Sequence, residues 1–209
     1  MLNNLSGEQV FIVIISIIIA MSIHEAMHGF AAHWLGDPTA EEAGRLTLNP
    51  LKHIDLVTTI ILPVVMIITT GIPFFAAKPV PFNPERVKYD EFGTAIVGVA
   101  GPLTNLVLAV LAAGIFHLWG TDLGSFFYNF LILFTEVNIG FFIFNMIPFP
   151  PLDGSRLLYA FAPEPLQEAM MQIESMGFIT VLIFIIIIFQ FASGPIVNIE
   201  NWFVQLLLG

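Results

Sequence analysis

The chain of 209 residues is strongly apolar: 57% of its residues are hydrophobic, only 11% are charged, and its mean hydropathy is +0.89. A soluble domain carries about twice that charged fraction, so the composition excludes an ordinary soluble domain and indicates a polytopic membrane protein. The net charge of −10 argues against nucleic-acid binding. Cysteine is absent, which excludes disulfides and thiolate metal sites and leaves His, Asp and Glu as metal ligands.

The apolar segments predict four membrane-spanning helices, each able to cross a hydrocarbon core of about 30 Å. The first helix ends at residues 36–38, a Gly-Asp-Pro sequence that stops a helix. The predicted spans are 8–35, 94–119, 125–147 and 176–192. The tail 195–209 is interrupted by Pro195 and by polar residues, so we expect it to lie at the membrane interface with Trp202 as an anchor.

Basic residues indicate the orientation of these spans. All six Lys and Arg residues fall within the segments 36–93 and 148–175, and the positive-inside rule places both segments in the cytoplasm. The apolar segment 56–71 lies between basic residues, is short and contains Pro63. We therefore expect a re-entrant element that enters and leaves the membrane on one side, covered by protein or water. The alternative is a full crossing, which would place three of the basic residues outside.

The strongest signal is a His-Glu-x-x-His motif at residues 24–28, which follows the apolar run 10–21. His24 and His28 are four residues apart, so both imidazoles project from one face of the first helix and can bind one zinc ion. Glu25 lies beside them as a candidate general base. Ionisable residues within a membrane helix are costly and functional by default, so the motif predicts hydrolysis inside the bilayer.

A catalytic zinc ion typically has a third protein ligand besides two histidines. Asp153 is the best candidate, because it follows the third span directly in a segment rich in proline and glycine. Irregular backbone at membrane depth is typical of a cavity or a site. The predicted topology brings the ends of the first and third spans to the same side of the membrane, so Asp153 can reach the two histidines.

Two motifs together, HEAMH at 24–28 and N-x-x-P-x-P-P-L-D-G at 145–154, resemble the site-2 protease family of intramembrane zinc metalloproteases. The resemblance covers residues 10–160, and the lack of an extra first span and of a PDZ-like insertion resembles the compact subgroup of that family. It implies one Zn2+ per chain, three protein ligands and a catalytic base. The implied ligands are His24, His28 and Asp153, and the implied base is Glu25.

The resemblance also implies residues that contact the substrate. Asn145 would hold the substrate backbone or the developing oxyanion, and Asn105, in a Gly-Pro-Leu-Thr-Asn sequence of the second span, would be a supporting substrate-binding residue. Segment 44–50 alternates apolar and polar residues, as an edge strand would if it bound an unwound substrate by β-augmentation. Segment 78–84 is rich in proline, and we expect it to line the same entrance.

These observations predict an all-α polytopic membrane protein with about four transmembrane helices, a re-entrant element and short β-like loop segments. Residues 1–209 would form one membrane-embedded metalloprotease domain, with a core at 10–160 and a C-terminal helix and interfacial tail at 176–209. We expect a zinc metalloendopeptidase that cleaves membrane proteins within or near their transmembrane segments, as in regulated intramembrane proteolysis. We expect it in the lipid bilayer of the plasma membrane, with its active site open to the cytoplasm.

Two other functions stay open at this point. A membrane protein that binds or transports a divalent metal without proteolysis would not need Glu25 as a base. A small helical scaffold would leave the buried ionisable residues without a purpose.

His53 and Glu136 have no assigned role. The small residues of the second span are expected to permit close helix packing rather than chemistry, and they are Gly98, Gly101, Ala109 and Ala113.

Overall fold

The structure, a computed structural model, describes residues 6–55, 59, 61, 77–120, 122–177, 180, 184 and 193–209. Short 3-10 turns cover Pro50–Lys52 and Pro84–Arg86. No strand occurs within these described ranges. The α-helices with defined bounds are α1 (Gly7–Trp34), α2 (Thr39–Glu42), α3 (Asp90–Trp119), α4 (Ser125–Asn145), α5 (Gly154–Phe161), α6 (Glu164–Ser175) and α7 (Ser193–Leu208).

Three of these helices, α1, α3 and α4, are long and apolar enough to cross a membrane. They correspond to the first three predicted spans, so the all-helical membrane class is confirmed. The predicted fourth span, 176–192, and the predicted re-entrant element, 56–71, fall largely outside the described residues. Both stay predictions.

The start of α1 is set by local hydrogen bonds at its N-terminus. Ser6 accepts a hydrogen bond from Gln9 N, and the Gln9 side chain accepts one from Ser6 N, which forms a capping box. The helix ends where Gly36 takes φ +102°, a left-handed conformation that favours glycine. This long helix carries the whole His-Glu-x-x-His motif in its second half, on regular α-helical backbone.

The three long helices pack against one another, and small residues on α3 make the contact close. Ala109 is fully buried against Ile139 of α4, and Ala113 is also buried. A methyl group built on Gly98 would lie 2.7 Å from Cβ of Arg156, so α5 approaches α3 more closely than any larger residue would allow. The expected packing role of the small residues therefore fits the structure.

The C-terminal tail, residues 195–209, is helical and is not interrupted at Pro195, and its expected location at the membrane interface stays a prediction. It forms the continuous helix α7, which packs along α4 and α3 and covers Ala109 and Ile139 with its own apolar side chains. Pro195 does not interrupt this helix, because it lies in the first turn, where backbone N–H groups have no intrahelical partner. The tail therefore contributes to the packing of the described bundle.

The loop over 44–50 does not form the strand that its alternating pattern suggested. Its end is occupied by Pro50, which has no N–H to give to a strand ladder. Asn49 accepts a hydrogen bond from Leu51 N and so starts a 3-10 turn instead. The β-like loop segments that we predicted are therefore absent from the described residues, because local side-chain capping competes with strand pairing.

Segment 77–80 joins this loop to α1 by backbone hydrogen bonds. Lys78 N donates to His53 O at 2.9 Å, and Lys78 O accepts from Nη2 of Arg45 at 2.8 Å. Two residues further on, Val80 N donates to Oε2 of Glu25 at 2.8 Å. The segment thus reaches from the loop to the His-Glu-x-x-His motif.

Asp37 anchors the turn that follows α1. Its carboxylate is fully buried, accepts from Thr39 N at 3.0 Å and accepts from Asn83 N at 2.6 Å, which ties the end of α1 to the chain before α3. Burial alone would raise the pKa of Asp37, but the hydrogen bonds from Thr39 and Asn83 outweigh it and hold this pKa below its usual value. The ionised carboxylate therefore stabilises the fold.

We expect Asp37→Ala to lower the melting temperature in detergent by about 5 °C at pH 7. Hydrogen bonds to a charged group contribute about 1.5–3 kcal/mol to the free energy of unfolding. A loss of 1 kcal/mol lowers the melting temperature of a chain of this size by about 2–4 °C. The folded pKa lies below the unfolded value of about 3.9, so this stabilisation is present above that pH and is lost as the pH falls through the folded pKa.

Thermal unfolding between pH 7 and pH 3 tests this expectation. The control is Glu42→Gln, which removes an exposed ion pair with Arg86 and should change stability by less than about 1 kcal/mol. A difference between wild type and Asp37→Ala that grows toward acid pH would contradict the assignment.

Candidate metal centre

Three predicted ligands, one pair from α1 and one residue from the loop after α4, converge in the structure. His24 Nε2 lies 3.0 Å from Oδ2 of Asp153, and His28 Nε2 lies 3.3 Å from the same oxygen. The two Nε2 atoms are 3.0 Å apart. Both histidines are buried, and Asp153 is partly buried. These three side chains could hold a metal ion.

The hydrogen bonds at Nδ1 of the two histidines decide which ring nitrogen of each faces Asp153. His28 Nδ1 lies 2.7 Å from the carbonyl oxygen of Val97, and His24 Nδ1 lies 2.6 Å from Oδ1 of Asn105. Both of these oxygens accept, so each Nδ1 carries the hydrogen and each Nε2 presents a lone pair to the other. Two lone pairs and a carboxylate oxygen repel one another unless a cation lies between them.

The donor set fits zinc. Zinc bonds of about 2.0–2.1 Å at tetrahedral angles place neighbouring ligand atoms about 3.3 Å apart, close to the separations between the Nε2 and Oδ2 atoms here. Two histidines and one carboxylate are a ligand set found in catalytic zinc sites, which keep a fourth position for water or substrate. The hydrogen bonds to Nδ1 orient the rings from behind, as is usual for metal-binding histidines.

Asp153 reaches the centre because the chain turns sharply after α4. The Pro-rich segment 148–151 cannot continue the helix, and Leu152 N donates to Phe149 O within the turn. Asp153 immediately precedes α5 but does not cap it, so its carboxylate is free to face the histidines.

Glu25 lies beside the three ligands but is not one of them. Its Oε2 accepts a hydrogen bond from Val80 N at 2.8 Å, so segment 77–80 fixes the orientation of the carboxylate. Within the described residues, Oε1 has no hydrogen-bond donor. The arrangement leaves one carboxylate oxygen able to accept a proton beside the metal-binding atoms.

Asn105 lies behind the metal centre and not on an accessible surface. It is fully buried; Oδ1 faces His24, and Nδ2 donates to Oδ1 of Asn138 at 2.9 Å. Asn138 in turn donates to Phe134 O at 2.8 Å, which completes a chain of amides between α3 and α4. The expected substrate contact of Asn105 does not fit this placement, because both ends of its amide are already engaged by the protein.

Asn145 lies at the C-terminus of α4, and the structure does not join it to the metal ligands by any hydrogen bond among the described residues. One of its amide hydrogens is donated to Phe141 O at 3.0 Å, on its own helix. The residue is half-buried.

Gly101 brings α3 directly against the two imidazoles. A methyl group built on Gly101 would lie 2.5 Å from Nε2 of His28 and 2.7 Å from Nε2 of His24, which no real side chain tolerates. The absence of a side chain at this position is therefore a requirement of the site as well as of helix packing. Our expectation had assigned Gly101 to packing alone.

Several supporting groups were missed by reading the sequence. Asn138 is a polar residue in the third span. Polar residues within a membrane span are usually functional, so the sequence could have indicated Asn138 as a site residue. The carbonyl of Val97 and the N–H of Val80 gave no signal, because every residue offers these groups and only the packing selects which are used.

The fold and the site together define a class: a helical membrane protein whose His-Glu-x-x-His motif lies on a helix long and apolar enough to cross a membrane, with a distant aspartate that completes a possible metal site. This combination is typical of zinc metalloproteases. Two known proteins resemble the chain closely enough to show its family.

YwhC of Bacillus subtilis, a candidate zinc metalloprotease, is 34% identical to the chain over 193 residues, covering 88% of this chain and 85% of YwhC. Rip2 of Mycolicibacterium smegmatis, also a candidate zinc metalloprotease, is 30% identical over 207 residues, covering 97% of this chain and 74% of Rip2. The chain therefore belongs to the site-2 protease family of zinc metalloproteases, and its cofactor is Zn2+. No protein-family profile and no solved structure matches the chain.

We expect Gly101→Ala to weaken zinc binding by about 10–100-fold, the usual cost of disturbing the support of metal ligands. The added methyl group must displace the ligating nitrogens of His28 and His24. Titration of the purified protein with a competing chelator measures the affinity. Gly114→Ala on the same helix is the matched control, because its added methyl group meets no described atom within 4 Å. Equal affinities in the two variants would contradict the close approach of α3.

Proposed function

We propose that the chain is an intramembrane zinc metalloendopeptidase in which His24, His28 and Asp153 hold one Zn2+ and Glu25 is the catalytic base. The observation that carries the proposal is the convergence of three metal-binding atoms at a helix that is long and apolar enough to span a bilayer. Membership of a zinc metalloprotease family supports the chemistry. The location of the motif within α1 supports its depth in the membrane.

The chain's own residues would divide the catalytic work. His24, His28 and Asp153 would hold the zinc ion, which when bound would supply a Lewis acid for the substrate carbonyl and lower the pKa of a bound water. Glu25, fixed through Oε2 by Val80 N, would take the proton of the attacking water on Oε1 and pass it to the leaving amine. Asn105 and Val97 would keep both imidazoles oriented through Nδ1, so that only Nε2 atoms face the reaction.

Asn145 would stabilise the negative charge that develops on the substrate carbonyl oxygen. One of its amide hydrogens is engaged by Phe141 O, and the second is available for a substrate oxygen. A donor placed in this way typically contributes about 10²–10³ in rate. Its place at the end of α4, in the same loop that leads to Asp153, supports this role.

The substrates would be membrane proteins cleaved within or near their transmembrane segments, in regulated intramembrane proteolysis. The site lies in the second half of α1 and just after the end of α4, and the basic residues lie in the segments that follow these two helices. The positive-inside rule then supports a site that opens to the cytoplasm from the plasma membrane. A protein that only bound or transported a metal would have no use for a carboxylate held beside the ligands by a backbone N–H.

Zinc content tests the ligand assignment. We expect about one zinc ion per chain in the wild type and less than about a tenth of that in His24→Ala and Asp153→Ala, because two ligands do not hold zinc tightly. Elemental analysis of purified protein measures this. The control is His33→Ala, since His33 is partly exposed and lies 3.5 Å from Glu41 rather than in the centre. Zinc that persists near one per chain in His24→Ala would refute the assignment.

Glu25→Gln tests the catalytic base. The amide oxygen of Gln can still accept from Val80 N, so we expect zinc content to be unchanged while cleavage of a transmembrane test peptide falls at least about 10²–10⁴-fold. Glu42→Gln makes the same chemical change at an exposed position and should keep full activity. Cleavage that survives in Glu25→Gln would rule out the base role, and a wild type that cleaves no peptide would argue for a metal-binding protein without proteolysis.

A further inference from the structure

A continuous chain of hydrogen bonds runs from the backbone of α4 through α3 to His24. Nδ1 of His24 lies 2.6 Å from Oδ1 of Asn105, and Nδ2 of Asn105 donates to Oδ1 of Asn138 at 2.9 Å. Nδ2 of Asn138 then donates at 2.8 Å to the carbonyl oxygen of Phe134, four residues earlier on α4. The chain therefore joins a backbone carbonyl of α4 to a predicted metal ligand on α1.

The carbonyl of Phe134 sets the direction of this chain. A backbone carbonyl can only accept a hydrogen bond, whereas an asparagine side chain donates from one end and accepts at the other. The amide of Asn138 therefore turns its N–H toward Phe134 O and its Oδ1 toward α3. Asn105 must then present its N–H to Asn138 and its own Oδ1 to His24.

A reversed amide at Asn105 would harm the metal-binding nitrogen of His24. Its N–H would face Nδ1, so His24 would accept there and carry its hydrogen on Nε2. Nε2 is the atom that lies 3.0 Å from Oδ2 of Asp153 and 3.0 Å from Nε2 of His28. A hydrogen on Nε2 would remove the lone pair that a metal ion needs. The direction of the amide chain therefore decides whether His24 can bind a metal.

Asn138 is the main restraint on the amide of Asn105. The other acceptor near Nδ2 of Asn105 is the carbonyl oxygen of Ala20, at 3.4 Å, which is long for a hydrogen bond. The bond to Asn138 is 2.9 Å. Both asparagines are fully buried, so bulk water does not compete for these contacts. Loss of the oxygen at position 138 would thus leave Asn105 with one weak contact to hold its orientation.

We propose that Asn138 is a positioning residue of the metal centre, which acts through Asn105 to keep the hydrogen of His24 on Nδ1 and the lone pair of Nε2 toward the metal. This inference rests on the ligand assignment in the proposed function and adds a residue that touches neither metal nor substrate. α4 thereby supports the centre in two ways, through Asn138 within the helix and through Asp153 in the loop that follows it.

Two substitutions at position 138 separate the oxygen from the shape of the side chain. Asn138→Leu has nearly the same shape but offers no acceptor, and we expect it to weaken zinc binding by about tenfold, the low end of the usual cost of changing a group behind a metal ligand. Asn138→Asp keeps an oxygen toward Asn105 and, in its protonated form, donates to Phe134 O. We expect its zinc affinity to stay within about threefold of the wild type. Titration with a competing chelator measures both. Wild-type affinity in Asn138→Leu, or an equal loss in the two variants, would overturn the proposal.

Thr135→Val is the matched control, because it removes a buried polar group from the same helix outside the amide chain. Thr135 is fully buried, and its hydroxyl donates to Leu131 O on its own helix. We expect wild-type zinc affinity in Thr135→Val, whatever its melting temperature. A loss of affinity equal to that of Asn138→Leu would assign the effect to packing and refute the proposal. If Asn138→Leu does not fold, Asn138→Val removes the same oxygen with a smaller side chain.

Nitrogen-15 NMR of histidine-labelled protein follows the hydrogen on His24 directly. The chain has five histidines, and the ring signals of His24 are those missing from His24→Ala. In the wild type and in Asn138→Asp, we expect a hydrogen on Nδ1 that exchanges slowly with water, because Asn105 accepts it in a buried place. In Asn138→Leu, we expect this hydrogen to exchange at least about tenfold faster. Exchange at the wild-type rate in Asn138→Leu would overturn the proposal.

The exchange measurement also separates this proposal from the ligand assignment. The Nδ1 hydrogen of His24 is observed whether or not the purified protein holds zinc. Zinc that stays near one per chain in His24→Ala would refute the ligand assignment, while the exchange rate in Asn138→Leu still decides whether Asn138 orients the ring of His24 through Asn105.

Discussion

The metal centre depends on two hydrogen bonds that lie behind it. The carbonyl oxygen of Val97 and the amide oxygen of Asn105 each engage Nδ1 of one histidine, which turns both Nε2 lone pairs toward Asp153. Without these oxygens, the rings could rotate or exchange tautomers, and a divalent cation would meet a less basic and less ordered site. The rest of the bundle serves to bring α3 and the Asp153 loop to the required distance from α1.

Close approach of α3 is achieved with residues that have little or no side chain. Gly101 faces the imidazoles, and Gly98 faces the turn between Asp153 and Arg156. In lipid, packing of this kind is a main source of helix association, because there is no hydrophobic gain from joining apolar surfaces. The same small residues therefore contribute both to the stability of the bundle and to the geometry of the metal centre.

One helix presents different chemistry on adjacent faces. His24 and His28 face α3, whereas Glu25 faces segment 77–80. An advance of about 100° per residue separates the metal ligands from the carboxylate beside them. The supports of the metal centre therefore lie buried on the α3 side, where Asn105 and Asn138 are inaccessible, and Glu25 lies on the other side of the ligands.

Periodicity and motif spacing were enough to predict the three described spans, the pairing of His24 with His28, and the candidacy of Asp153. Such features depend on local helix geometry or on a rule about topology, and both can be read along the chain. The sequence did not determine the partners of Asn105, the burial of His53 or the helical tail α7. These depend on which faces of distant helices meet, and the loop 44–50 shows that a local pattern yields to capping when no strand partner is present. The tertiary structure therefore decided the supports of the site, because contacts between residues far apart in the chain arise only when the helices pack.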